Sequence, residues 1–161
     1  MAKLEIYDTL TDTKKQLLTN KKIRIYLCGV TVYDDAHIGH ARTIVIFDTL
    51  RRFLESNGND VDLIQNFTDV DDKIIKKASD TNTSADLVST KYIENYFVDF
   101  DALNIKRATE YPKATGHIQD MINLISDLIE KKIAYTAKNG VTSVSQSFLN
   151  TENYQKRMLR N

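Results

Sequence analysis

Three stretches in a fixed order constrain this chain more than anything else in it. Residues 21–28, KKIRIYLC, alternate Ile23, Ile25 and Leu27 with polar residues, the period of a strand. From Ile38 to Asn57 the pattern changes to helical, with Ile46, Leu50, Phe53 and Leu54 at helix spacing and SNGN (56–59) as its stop. Residues 60–67, DVDLIQNF, then read as a second strand. Strand, loop, long helix and strand make a βαβ unit, so an α/β fold with a parallel sheet and right-handed crossover is expected.

The remaining text fills in around that unit. Gly29 is expected to break the first strand. In TDVDDKIIKKASD (68–80), Asp69 followed by Asp72 reads as an N-cap opening a short helix, and KIIKK (73–77) as its solvated face. Residues 83–101 and 113–132 carry further helical patterns, with Pro112 suited to the start of the second. IAYTAKNGV (133–141) reads as an edge strand with a turn at Asn139–Gly140. Beyond Val141, TSVSQSFLNTENYQKRMLRN has scattered Ser, Asn, Thr and Gln without a period, the composition of a loop or tail.

Composition excludes several functions. Lys and Arg together number 22, as do Asp and Glu, so no global basic field points to nonspecific nucleic-acid binding. A single cysteine rules out an internal disulfide and fits a reducing, cytoplasmic location. The start MAKLEIYDTL has no apolar run of signal-peptide type, and no stretch is long enough to span a membrane.

The chemistry concentrates at HIGH, residues 37–40, between the first strand and the first helix. In open parallel sheets, ligands bind at the carboxyl ends of strands. A helix N-terminus adds free N–H groups and a positive dipole end, both favourable to phosphate. Gly39 lacks a side chain, which lets a flat base lie against the backbone. His37 and His40 can donate to a triphosphate. Two histidines three apart can equally cap the helix or lie on its surface; the strand-to-helix context favours the ligand role. Cys28, at the end of the first strand, is expected to face the same pocket or to be a small buried hydrophobe. One cysteine cannot make a zinc site, and the third histidine, His117, lies far off on a predicted helix. At the end of the second strand Thr68 is the better candidate for a substrate contact, and capping accounts for Asp69 and Asp72.

These residues carry a family resemblance. IRIYLCGVTVYDDAHIGHARTIVIFD, NFTDVDDKIIKKA, FDALNI and YPKATGHIQDMINLISDLIEKKIAY, in that order, resemble the N-terminal part of cysteinyl-tRNA synthetase, a class I aminoacyl-tRNA synthetase. The likeness runs from about Leu4 to Val141. It implies residues 1–141 as the N-terminal half of a Rossmann-like (HUP-type) catalytic domain, its parallel sheet flanked by helices and incomplete here. It further implies ATP, with Mg, bound through His37, Gly39 and His40; an amino-acid pocket lined by Gly29, Thr31 and Thr68; and Cys28 as one ligand of the family's zinc. The implied reaction joins L-cysteine and ATP into cysteinyl-adenylate and pyrophosphate, then transfers cysteine to tRNA(Cys). The 161 residues contain no KMSKS text, no second zinc ligand at the family's downstream positions and no tRNA-gripping helical domains, so a poorly active form is expected. A stand-alone nucleotide-binding or nucleotidyltransferase module, a ligase joining cysteine to an amino sugar, and a non-enzymatic remnant are the rival readings.

The tail has its own explanation. Read one base earlier, the codons permitted for Thr142 through Arg157 allow a family-like residue at every step. Residues 142–161 are accordingly expected to be out-of-frame text and poorly ordered, the alternative being a divergent natural tail.

Overall fold

The parallel pair that the strand–helix–strand spacing requires is present. A computed structural model describes residues 4–17, 22–138 and 140–143. In chain order the elements are β1 (Glu5–Asp8), β2 (Thr13–Gln16), β3 (Lys22–Thr31), α1 (Ile38–Ser56), β4 (Asp60–Thr68), α2 (Asp72–Asp80), α3 (Ala85–Ala102), a 3-10 turn (Ala114–His117), α4 (Ile118–Glu130), β5 (Ala134–Ala137) and β6 (Gly140–Ser143). The chain divides into two units, Thr19–Ile118 and the pair of segments Met1–Leu18 and Gln119–Asn161.

In the central unit β3 and β4 run parallel, from Lys22 beside Asp60 to Thr31 beside Thr68. Gly29 does not end β3. It sits at an irregularity in the register between Leu27 and Val30, and the strand continues to Thr31. The close approach explains the glycine: a Cβ at position 29 would lie 1.4 Å from the Asn66 carbonyl oxygen. On the other side of β4, residues 109–113 add a third parallel path. Gln65 N–H donates to Glu110 O (3.1 Å), Phe67 N–H to Pro112 O (2.9 Å) and Thr109 N–H to Leu63 O (2.7 Å). Pro112 therefore belongs to a strand-like run, and the helix expected from 113 begins as a 3-10 turn followed by α4.

Strand alternation turns Val61, Leu63, Gln65 and Phe67 to one face of β4, where all four are buried. Phe67 packs on Tyr96, Phe97 and Tyr111, with ring centroids 5.1–5.7 Å apart. Full burial of a side chain of this size contributes about 1.5–3 kcal/mol. The polar member of the face is satisfied, since the buried Tyr96 hydroxyl donates to Gln65 Oε1 at 2.8 Å. Burial raises the Tyr96 phenol well above its ordinary range, with Tyr111 adding to the effect.

α2 is capped by Asp71, whose side chain accepts from Lys73 N–H, rather than by Asp69 or Asp72. Asp72 occupies the first turn. Asp69 is buried and accepts instead from Thr115 N (2.9 Å) and Thr115 Oγ1 (2.5 Å), which fixes the end of β4 to the 3-10 turn.

The second unit contains two antiparallel hairpins, β1–β2 and β5–β6, and the helix α4. Thr142 and Ser143, assigned to the tail by sequence, close the β5–β6 ladder opposite Tyr135 and Ala134. Asn139 of the expected turn and residues 144–161 of the expected tail lie outside the described residues. No helix among the described residues is long and apolar enough to cross a membrane.

Candidate functional site

A cavity of about 400 Å³ opens at the carboxyl end of β3. Gly29, Val30 and Thr31 line it from the strand, Tyr33, Asp34 and Asp35 from the loop, His37 and His40 from the head of α1, and Lys73 from the first turn of α2. Thr68 is not part of the lining, but it pairs in register with Thr31, and its carbonyl accepts from Val32 N–H at 3.3 Å. Cys28 is exposed and is likewise absent from the lining, so the expectation that it ends β3 and faces this pocket fails. β3 continues past Cys28 to Thr31, through the register irregularity between Leu27 and Val30, and Gly29, Val30 and Thr31 are the strand residues that reach the cavity.

The two histidines do cap α1, and they do it reciprocally. His37 Nδ1 accepts from Gly39 N–H (3.0 Å), and His40 Nδ1 accepts from His37 N–H (3.2 Å). Their rings stack with centroids 3.9 Å apart. A ring nitrogen that accepts a hydrogen bond carries no proton, so each imidazole is the tautomer with its hydrogen on Nε2. Capping thus leaves two Nε2–H donors at a helix N-terminus, beside a cavity. Burial lowers the His40 pKa below its ordinary value, and the neighbouring His37 adds to the shift. Gly39 has a structural reason of its own: a Cβ there would lie 2.8 Å from His37 Cε1 and 3.0 Å from Nδ1. A side chain at 39 would displace the ring that holds the cap.

The cavity's two carboxylates are already engaged. Asp34 lies 3.6 Å from Lys77 Nζ and accepts from Asp35 N–H, and Asp35 accepts from Asn95 Nδ2 at 2.6 Å. Asn66 holds the floor: its Oδ1 accepts from Gly29 N–H (2.8 Å) and from the Tyr26 hydroxyl (2.9 Å). Sequence context left Asn66 unmarked, gave Asp69 a capping role and put Lys73 on a solvated face, because each acts on a partner distant in the chain. The lysines of KIIKK are not simply solvated. Lys73 Nζ stands 5.0 Å from the Tyr33 ring centroid and Lys77 Nζ 5.5 Å from that of Tyr92.

The described residues do not by themselves make a complete zinc site. Among the described residues no group of three or more His, Cys, Asp or Glu side chains is placed to hold a metal. Cys28 is solvent-exposed, and His37 and His40 direct Nδ1 to the backbone.

The βαβ unit, with paired histidines at the head of its crossover helix, belongs to a class I tRNA synthetase catalytic domain. The fold matches the structure of a putative arginyl tRNA synthetase from Campylobacter jejuni with a TM-score of 0.61. That match has 17% sequence identity and covers 79% of this chain and 39% of that one. The family model described as the tRNA synthetases class I (C) catalytic domain matches residues 14–160, and the chain belongs to that family. It is 49% identical over 140 residues to a cysteine–tRNA ligase from Clostridioides difficile (strain 630), covering 86% of this chain and 30% of the relative. It is 48% identical over 147 residues to one from Lachnoclostridium phytofermentans, covering 90% of this chain and 31% of the relative. The chain therefore spans about 30% of the length of the curated relatives it matches.

Proposed function

We propose that this chain forms the ATP cradle of a cysteine–tRNA ligase, within a Rossmann-like (HUP-type) sheet of which β3, β4 and residues 109–113 are part. The observation that carries the reading is the pair of Nε2–H donors, held by the reciprocal cap at the N-terminus of α1 beside a cavity of about 400 Å³. In this reading the nucleotide, as its Mg complex, lies over Gly39 with its phosphates toward His37 and His40. The carboxylate of L-cysteine attacks the α-phosphorus, giving cysteinyl-adenylate and releasing pyrophosphate; transfer to tRNA(Cys) follows. Negative charge grows on the phosphate oxygens during attack. Donors already fixed by the cap meet that charge without reorganising, and one such donor is worth about 3 kcal/mol of barrier. The helix dipole acts in the same sense. Gly29, Thr31 and Thr68, at the matched ends of β3 and β4, are the proposed amino-acid contacts.

These residues span about 30% of the length of the curated relatives they match, and nucleotide binding is the step expected of that span by itself. Calorimetric titration with ATP and cysteine-dependent exchange of labelled pyrophosphate into ATP separate the two. The expected result is measurable ATP binding with exchange far below that of a full-length relative. No ATP binding at millimolar concentration sinks the cradle, and full exchange sinks the expected deficit.

A further inference from the structure

Among the described residues, Lys73 is the only lysine or arginine lining the cavity. It sits in the first turn of α2, directly after Asp71 and Asp72. The positive end of the helix dipole favours those two carboxylates and disfavours a cation beside them. Residues that break a local rule mark functional or strained sites. Lys73 also has no carboxylate partner among the described residues. Asp34 is taken by Lys77 and Asp35 by Asn95. The Lys73 ammonium rests over the Tyr33 ring, 5.0 Å from its centroid, and Tyr33 lines the same cavity. A ring face at an exposed site holds a cation by about 0.5–1 kcal/mol and leaves its charge unneutralised. The two imidazoles that line the same cavity present neutral N–H donors. Among the described residues, the full positive charge facing a ligand here is therefore that of Lys73.

We propose that Lys73 receives the polyphosphate end of the nucleotide, with Tyr33 as the rest from which its ammonium swings onto the phosphate oxygens. This rests on the reading of the cavity as a nucleotide site. It makes Lys73 a substrate-binding residue supplied by α2, in the cavity that the histidines of α1 also line. Its compact charge suits a phosphate oxygen, and its flexible stem suits a group that must release pyrophosphate again.

The test is calorimetric titration of the whole chain at fixed ionic strength with ATP, inorganic tripolyphosphate, adenosine and L-cysteine. Lys73→Gln and Lys73→Arg are compared with the unaltered chain. Lys73→Gln should weaken ATP and tripolyphosphate about ten- to hundredfold, the loss expected for a charge-assisted hydrogen bond. Adenosine should bind unchanged, and Lys73→Arg should recover most of the lost affinity. Unchanged ATP affinity in Lys73→Gln overturns the assignment, as does an equal loss for adenosine, which marks a merely structural role. A loss confined to L-cysteine overturns it in favour of the amino-acid carboxylate. Lys73-dependent binding of tripolyphosphate without binding of ATP or adenosine upholds Lys73 while refuting the nucleotide reading. Binding of none of the probes refutes both.

Discussion

His37 and His40 show how one pair of side chains can satisfy a helix terminus and still face a ligand. Each ring uses Nδ1 on the backbone, and protonation of that nitrogen ends the bond. His40 titrates below the ordinary imidazole value of 6.5, first because burial penalises its charge and then because His37 lies beside it. The folded-state pKa is thus lower than the unfolded one. The contribution of His40 is complete above pH 6.5 and is lost as the pH falls through the folded pKa, where the unfolded chain binds more protons. Ring-resonance NMR should find the His40 midpoint below that of a histidine in the unfolded chain. Exchange of the His37 amide, whose acceptor is His40 Nδ1, should speed up over the same interval, and a His40 midpoint at or above 6.5 contradicts the arrangement. At this scale the local motif was legible and the distant partners were not. HIGH announces itself within four positions. Asn66 meets Gly29 across 37 residues and Asp69 meets Thr115 across 46, and neither pairing leaves a mark in sequence spacing.

At the scale of elements, α1 is fixed by polar contacts on its buried side. Its buried residues are Ile44, Asp48, Arg51 and Leu54, whereas Ile46 and Phe53 of the apolar sequence pattern are exposed. The difference comes from residues 104–107, which bring backbone polar groups against the helix. Asp48 accepts from Lys106 N–H (3.0 Å) and from Arg52 Nε (2.7 Å). Arg51 donates to Arg107 O (2.7 Å), and Arg52 to Asn104 O (2.8 Å). Asp48→Ala leaves a Lys106 N–H without its acceptor and should cost about 1–3 kcal/mol in denaturant unfolding. Asp48→Asn keeps an acceptor and loses only the ion pair with Arg52, so its cost should stay below about 1 kcal/mol. Equal losses for the two variants would mean that charge, not the backbone acceptor, holds the segment. Periodicity revealed α1, β3 and β4 because each has an apolar face long enough to repeat. It missed residues 109–113 as a strand because TEYPK takes its structure from the edge of β4, not from a pattern of its own.

For the whole molecule, the distribution of burial decides what can fold independently. The central hydrophobic cluster, from Leu27 through Phe67 and Ile74 to Phe100, lies entirely within Thr19–Ile118. That unit is one continuous stretch of chain and contains every residue lining the cavity. The other unit draws on two segments separated by about a hundred residues, and among its described residues only Ala134 is buried. Met121, Ile122, Leu124 and Ile125 of α4 remain at least 40% exposed. Bringing two distant segments together costs loop-closure entropy, and little described burial offsets it. The continuous unit should therefore carry the cooperative transition. Residues 19–118 expressed alone should give a dispersed amide spectrum, unfold in one step and bind ATP as the whole chain does. A molten spectrum, or loss of ATP binding while the whole chain retains it, would show that the second unit is required to complete the fold or the site.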